Sequence, residues 1–398
     1  MSGGGGPYRS RLAVLAADGV VERLLDTWAA QRFAGRIGPW RRVHGKLRPQ
    51  RSPWAVMVYE AVGGTTVQVR LLESTDPRVD VPRGSLVVGD LGPVEIVACE
   101  ADPALPGLPE VLAALEAPRV VRYHPGSRCT VHGGAGSAAR FVKVHAENAN
   151  DQQEVRTRWE ASVSGVLSFA VAEPHGWDES SRSSWYGVVP GGPVTPSLFV
   201  SERNQLAHQV GASLGELASA TLRPSRRDDA TNQLARTKRA LMRAVAAAPA
   251  LATGLHRASD ALTRAHDRLG ARRLVPVHGA AHLGQWLVDD TGRLGLVDFD
   301  RYALGEPEFD LATFVVELRA ACRERPTEEL ETAVVAGFRA IAGEVDAQRL
   351  ALYIVHKRLG MVARTACALR PDAEERAAPQ LEELQSPLER LAFAPRLV

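Results

Sequence analysis

The sequence predicts an α+β protein of two unequal lobes, a small antiparallel-sheet part followed by a mostly helical part. Three observations carry this. Runs of alternating apolar and β-branched residues concentrate before residue 190. Beyond 198, Ala-, Leu- and Arg-rich stretches repeat at helical spacing instead. Between them lies 190–197, Pro-Gly-Gly-Pro-Val-Thr-Pro-Ser, whose composition is that of a hinge.

A chain of 398 residues, 45% hydrophobic and 24% charged, has enough apolar content to bury a full core. Its net charge of +2 points to neither nucleic acid nor a membrane surface. Cys99, Cys129, Cys322 and Cys367 are far apart and lack metal-ligand spacing, so reduced thiols are expected. The Gly-rich start has no apolar stretch of signal-peptide type, and no run reaches the ~18 apolar residues of a membrane span. The expected location is the cytoplasm.

Residues 11–34 place Leu12, Leu15, Val20, Val21, Leu24, Leu25 and Trp28 at helical spacing, with Gly19 as a break. Residues 54–62 and 65–73 flank Gly63-Gly64, a two-residue hairpin signal. Strand-like pieces follow at 85–88 and 94–98. Residues 1–105 are thus a helix-plus-hairpin extension. Packing against the small lobe is its expected role; holding a peptide, a partner protein or a second copy is the alternative.

A Pro-punctuated connector at 101–108 leads to a short helix at 109–117. Residues 119–145 read as strand, turn, strand, loop, strand, with the turn at His-Pro-Gly-Ser-Arg, 124–128, and Lys143 in an alternating apolar strand. Residues 146–163 read as a helix carrying Glu154 and Glu160. Residues 166–172 and 184–189 are expected to complete the small antiparallel sheet, so that the small lobe spans 106–190 and the helical lobe 191–398. Helices are expected at 198–222, with Leu206, Val210, Leu214 and Leu217 as a core stripe, at 232–247, at 254–270, and from 310 onward.

The chemistry concentrates in 274–314. This stretch reads strand, His278-Gly279 loop, Gln285, strand, Asp289-Asp290, strand, Asp298-Phe299-Asp300, then Gly305-x-Pro307-x-x-Asp310-Leu-Ala at a helix start. It resembles the catalytic core of the aminoglycoside phosphotransferase and choline kinase-like family, whose loop usually runs His-Gly-Asp-x-x-x-x-Asn and is followed by Asp-Phe-Asp. The resemblance covers 118–395 in organisation and is motif-level in 274–314. It implies a bilobal protein kinase-like fold that takes ATP or another nucleoside triphosphate together with Mg²⁺.

On that resemblance, Lys143 contacts the phosphates and pairs with a helical glutamate. Glu160 is favoured over Glu154, because the family's separation from the lysine usually exceeds eleven residues. The turn amides at Gly126 and Ser127 cover the phosphates, and the backbone around Val189 in 188–191 receives adenine. Asp298 is the principal Mg²⁺ ligand and Gln285 the second, in place of the usual Asn. Asp300 joins the metal, pairs with Arg301 or caps a local turn. His278 and Asp310 are structural, and His282 is solvated or faces substrate.

The departure is Ala280, which stands where the family carries its catalytic Asp. It cannot accept a proton. Either the chain is a pseudokinase or it is an inactivated variant. Three functions follow: a kinase for a hydroxyl of a small molecule or natural product, a kinase for Ser/Thr of a natural-product peptide held by 1–105, or a non-catalytic binding module.

Overall fold

The computed structural model describes the chain outside residues 1–7, 18, 34–36, 50, 73–85, 89–90, 147–165, 202, 222–223, 323–324 and 394–398. Helices α1 (Arg9–Ala16) and α2 (Val20–Ala30) are separated at Gly19, whose φ of 70° suits a residue without a side chain. Their apolar stripe, Leu12, Leu15, Val21, Leu25 and Trp28, packs onto a five-stranded antiparallel sheet. Its strands are β1 (Trp40–Leu47), β2 (Ala55–Ala61), β3 (Thr66–Leu71), β4 (Leu86–Val88) and β5 (Gly92–Ala98), in the order β1-β2-β3-β5-β4. The hairpin foreseen at Gly63-Gly64 joins β2 and β3, but its loop is longer than two residues. Ala61 N–H donates to the Thr65 carbonyl at 2.9 Å, so Val62 is drawn out of the strand and into the loop.

The second sheet contains β6 (Arg119–His124), β7 (Arg128–Gly133), β8 (Arg140–His145), β10 (Pro174–Asp178) and β11 (Ser183–Tyr186), ordered β10-β11-β8-β7-β6. Cys129, Val131, Val142 and Val144 alternate onto one fully buried face. That face packs against Leu105 and against Leu108 and Val111 of α3 (Leu108–Ala114), and it shares its core with Val58 of the first sheet. Both Cys99 and Cys129 are buried there as free thiols.

One expected pairing is corrected. Residues 166–172 do not join the second sheet. Only Ala170–Val171 is extended (β9), and it lies parallel to Gly295–Leu296 in a different sheet. The reason is packing: Phe169 is buried against Trp286, with ring centroids 6.2 Å apart, which ties this segment to the helical side. The edge of the second sheet is instead β10.

Beyond β11 the chain turns mostly helical, as expected of the α+β arrangement. The hinge residues Gly192–Pro193 form β12, paired with β15 (Trp286–Val288), which pairs in turn with β16 (Leu294–Leu296). Strands β13 (Arg227–Asp228), β14 (Val275–Val277) and β17 (Ala303–Gly305) make a third small group. After a single turn at Leu198–Ser201 come α4 (Arg203–Ala218), α5 (Ala230–Ala247) and α6 (Ala252–His266). The C-terminal set is α7 (Glu308–Ala321), α8 (Glu328–Ala342), α9 (Ala347–Ala366), α10 (Ala373–Glu382) and α11 (Gln385–Phe393).

The stripe Leu206, Val210, Leu214 and Leu217 is buried as expected. Helices α4 and α8 cross at two glycines. A Cβ on Gly211 would run into the Val334 carbonyl, and one on Gly337 into that of His208. Asp346 caps α9, accepting from the N–H groups of Gln348 and Arg349 at 2.9 and 3.1 Å. Among the described residues no helix is long and apolar enough to cross a membrane.

Candidate functional site

Three strands of three residues each carry the candidate site, and their connections hold its polar groups. Strand β14 ends at Val277 and releases the loop His278–Leu283. Gly279, at φ 76°, lies flat against the Arg301 carbonyl, where any Cβ would collide. The loop is held from below by Asp310, in the first turn of α7. Its carboxylate accepts from the N–H groups of His278 and Gly279 at 2.6 and 3.0 Å. Burial pushes Asp310 above the usual carboxylate range, outweighing Lys357 and the backbone N–H groups that favour its charged form, and burial pushes Lys357 down. His278 is fully buried. Its Nε2 lies 3.0 Å from the Val297 carbonyl and its ring packs edge-on to Phe299. Burial drives its imidazole down to about 4, so it is neutral at pH 7.

Asp298 follows β16 and adopts the left-handed region at φ 69°, with its carboxylate toward the small lobe. There it meets Lys143 from β8. Lys143 Nζ donates to Asp298 Oδ1 at 2.6 Å and to Asp300 Oδ1 at 2.7 Å. Arg128, at the exit of the 124–128 turn, approaches Asp298 at 3.9 Å and pairs directly with Asp300. Gln285 Nε2 donates to Asp298 Oδ2 at 3.2 Å and lies 3.1 Å from His282 Nε2. Burial alone would raise the Asp298 carboxyl. Lys143 and Arg128 overcome it and hold the group well below the usual range.

Lys143, Gln285, Asp298 and Asp300 thus converge in space. Among the described residues Lys143 meets the carboxylates of Asp298 and Asp300; Glu154 and Glu160 lie outside the described residues. Asp300 pairs with Lys143 and Arg128 rather than with Arg301. Two amides of the 124–128 turn, expected to cover phosphates, have partners within the chain. Gly126 N–H donates to Asp102 Oδ2 at 2.8 Å and Ser127 N–H to the His124 carbonyl at 3.0 Å. Asp102, 4% exposed, also accepts from Tyr123 Oη at 2.7 Å. Val189 is buried, with its side chain against Gly295. Ala280 is half-buried, and its carbonyl accepts from His282 N–H at 2.6 Å. His282 is half-buried too, rather than solvated, and burial depresses its imidazole.

Two carboxylates and an amide suit a hard divalent cation that takes few protein oxygens and completes its shell with phosphate and water. Among the described residues no group of three or more His, Cys, Asp or Glu forms a metal cage. A donor set of oxygens alone suits a hard cation better than a soft metal. Arg128 and Asp102 escaped the sequence reading. Their partners lie far off in the chain, and only the Arg ending the 124–128 turn hinted at either.

A model described as "Phosphotransferase enzyme family" matches residues 131–353. Among solved structures, a microcompartment-associated aminopropanol kinase aligns at 19% identity and TM-score 0.53, covering 69% of this chain and 91% of its own. An amicoumacin kinase in complex with AMP-PNP, Ca²⁺ and its ligand aligns at 14% and 0.52, covering 70% and 92%. Choline kinase LicA from Streptococcus pneumoniae aligns at 12% and 0.51, covering 69% and 97%. At these identities the likeness is one of fold, and the fold is kinase-like. A search of curated protein sequences returns no match.

Proposed function

This chain belongs to the phosphotransferase enzyme family, whose model spans more than half of it, and we propose on that premise that it is an ATP-dependent kinase for a hydroxyl group of a small molecule or natural product, impaired at Ala280. The observation that carries the reading is the meeting of Lys143 with Asp298 and Asp300 across 155 and 157 residues of chain. Phosphoryl transfer needs little covalent chemistry from protein. It needs held phosphates, neutralised charge and a placed acceptor.

Each need has a residue. Lys143, with Arg128 beside it, exchanges its carboxylate partners for phosphate oxygens. Asp298, Asp300 and the Gln285 amide oxygen hold Mg²⁺, and that ion, when bound, neutralises charge on the transferred group. Gln285 reaches it by turning its amide, which now directs nitrogen to Asp298. Asp310 keeps the 278–283 loop in place through backbone bonds alone. Adenine is assigned to the backbone around Val189. The acceptor's proton is the missing provision, because Ala280 offers only a methyl group.

Restoring Ala280→Asp is the test. Supplying a general base is expected to raise ATP-dependent transfer to a hydroxyl library by ~10²–10⁴-fold. Wild-type and variant turning over alike would sink the reading. Ala280 itself favours a second reading, a nucleotide- or partner-binding module without transfer. That reading predicts an ATP–Mg²⁺-induced rise in thermal midpoint with no rescue by Asp.

A further inference from the structure

Beside the transfer centre lies a cavity of about 770 Å³ that reaches from the 124–128 turn and Asp300 to the N-terminal sheet. Its walls are cationic. Lys46 comes from β1, Arg48 from the residue just past its end, Arg70 from β3, and Arg226, Arg236 and Arg301 from the helical side, with Arg128 also lining the cavity. Two carboxylates, Asp102 and Asp300, face them. Some of this charge is answered from behind. Arg70 pairs with Glu95 at 2.8 Å, and Arg236 makes a bidentate contact with Asp228 at 2.9 and 2.8 Å. Among the described residues no carboxylate lies within ion-pair distance of Lys46, Arg48 or Arg301.

The excess is local. The chain as a whole has 48 basic and 46 acidic side chains, so composition does not force a basic cleft. Its electrostatic footprint is consistent. Lys46 and Arg48 are pushed down by burial and then by neighbouring cations. A second cavity of about 980 Å³ meets the first at His44, Lys46 and His124, and is lined by Arg42, Arg243, Arg364 and Arg370 against Glu22 and Asp372. A fold that builds like charges into a half-enclosed cleft pays repulsion for it, and a bound anion relieves that repulsion.

We propose that the acceptor molecule carries oxyanionic groups, carboxylate or phosphate, and that the N-terminal sheet supplies Lys46 and Arg48 to hold them beside the transfer centre. This rests on the phosphoryl-transfer reading above and gives residues 40–70 a part in substrate recognition. The nucleotide's own phosphates are the concern of Lys143 and Arg128. The outer cations come from other elements and remain available when nucleotide is bound.

The test uses the full chain saturated with AMP-PNP and Mg²⁺ and two probes, pyrophosphate and a fluorescein-labelled peptide of six glutamates and one serine. At least one is expected to bind, more weakly as salt rises. The double charge reversal Lys46→Glu/Arg48→Glu should weaken it tenfold or more, while AMP-PNP affinity changes less than twofold. The milder Lys46→Gln/Arg48→Gln pair, checked for an unaltered unfolding midpoint, should weaken it in the same direction. Tighter binding of the peptide assigns the oxyanions to acidic side chains of a peptide substrate; tighter pyrophosphate assigns them to a phosphorylated small molecule. Unchanged probe affinity in both double variants overturns the proposal, as does binding of choline or kanamycin with neither anion bound. Should AMP-PNP itself fail to bind, the nucleotide reading falls, and the same comparison in the nucleotide-free chain decides the anion site separately.

Discussion

Two ionic clusters use the same chemical groups to opposite ends. Around Arg349, 4% exposed, the guanidinium donates from Nη1 to both oxygens of Glu306 at 2.7 Å and from Nη2 to the Gly270 carbonyl, and Tyr353 Oη donates to Glu306 Oε2 at 2.8 Å. This cluster is closed, buried, and satisfied within one lobe. The Lys143–Asp298–Asp300–Arg128 cluster has side chains 13–27% exposed and spans two lobes. The first holds a shape. The second is a set of charges whose partners can be exchanged, which is what a site for phosphate and metal requires.

The comparison breaks most clearly at Arg349. Arg349→Met leaves Glu306 buried without its cation and is expected to cost ~3–5 kcal/mol, read from urea unfolding. Lys143→Met should separate the two clusters the other way. It removes charged hydrogen bonds worth ~1.5–3 kcal/mol to a ligand, so nucleotide affinity by titration calorimetry should fall by ~10- to 100-fold. The unfolding free energy should move less than in Arg349→Met. Equal loss of stability in both would erase the distinction.

Acid gives a smaller and graded effect. His278 titrates at about 4 when folded and near ~6.5 when unfolded, so between those values only the unfolded chain takes the proton. Stability should therefore decline as pH falls from ~6.5 to about 4, and His278→Gln should flatten that decline. The Asp298 contribution has its own window. Its folded value is depressed, so it is intact above the unfolded carboxylate value of ~3.9 and is lost only as pH falls further. Urea midpoints taken at closely spaced pH values resolve the two.

How much of this was readable depends on whether partners are near in sequence. The loop, the two aspartates and the buried His278 sit within one stretch, 274–314, where the family resemblance orders them. Strand alternation placed Lys143 in a strand, and the same resemblance gave it a role. The apolar run at 166–172 misled, because hydrophobicity says that a segment is buried but not in which sheet, and Phe169 chose Trp286. Arg128 and the cationic walls were hidden for the same reason. Nothing in the local pattern of β1 states that its Lys46 will face Arg226 and Arg301 across a cavity.

Asp102 bears on what can be removed from this protein. It lies in the link between the two sheets and fixes the turn at Gly126, while Val58, Cys99 and Leu105 enter the core beneath that turn. The first hundred residues are therefore not a detachable module. A cut at 105 would take away the anchor of the turn along with the sheet, and any loss of nucleotide or peptide binding in such a fragment would report damage rather than recognition. Lineages that shed this region would have to rebuild the turn, so gain or loss of the N-terminal sheet and reshaping of the nucleotide site should travel together.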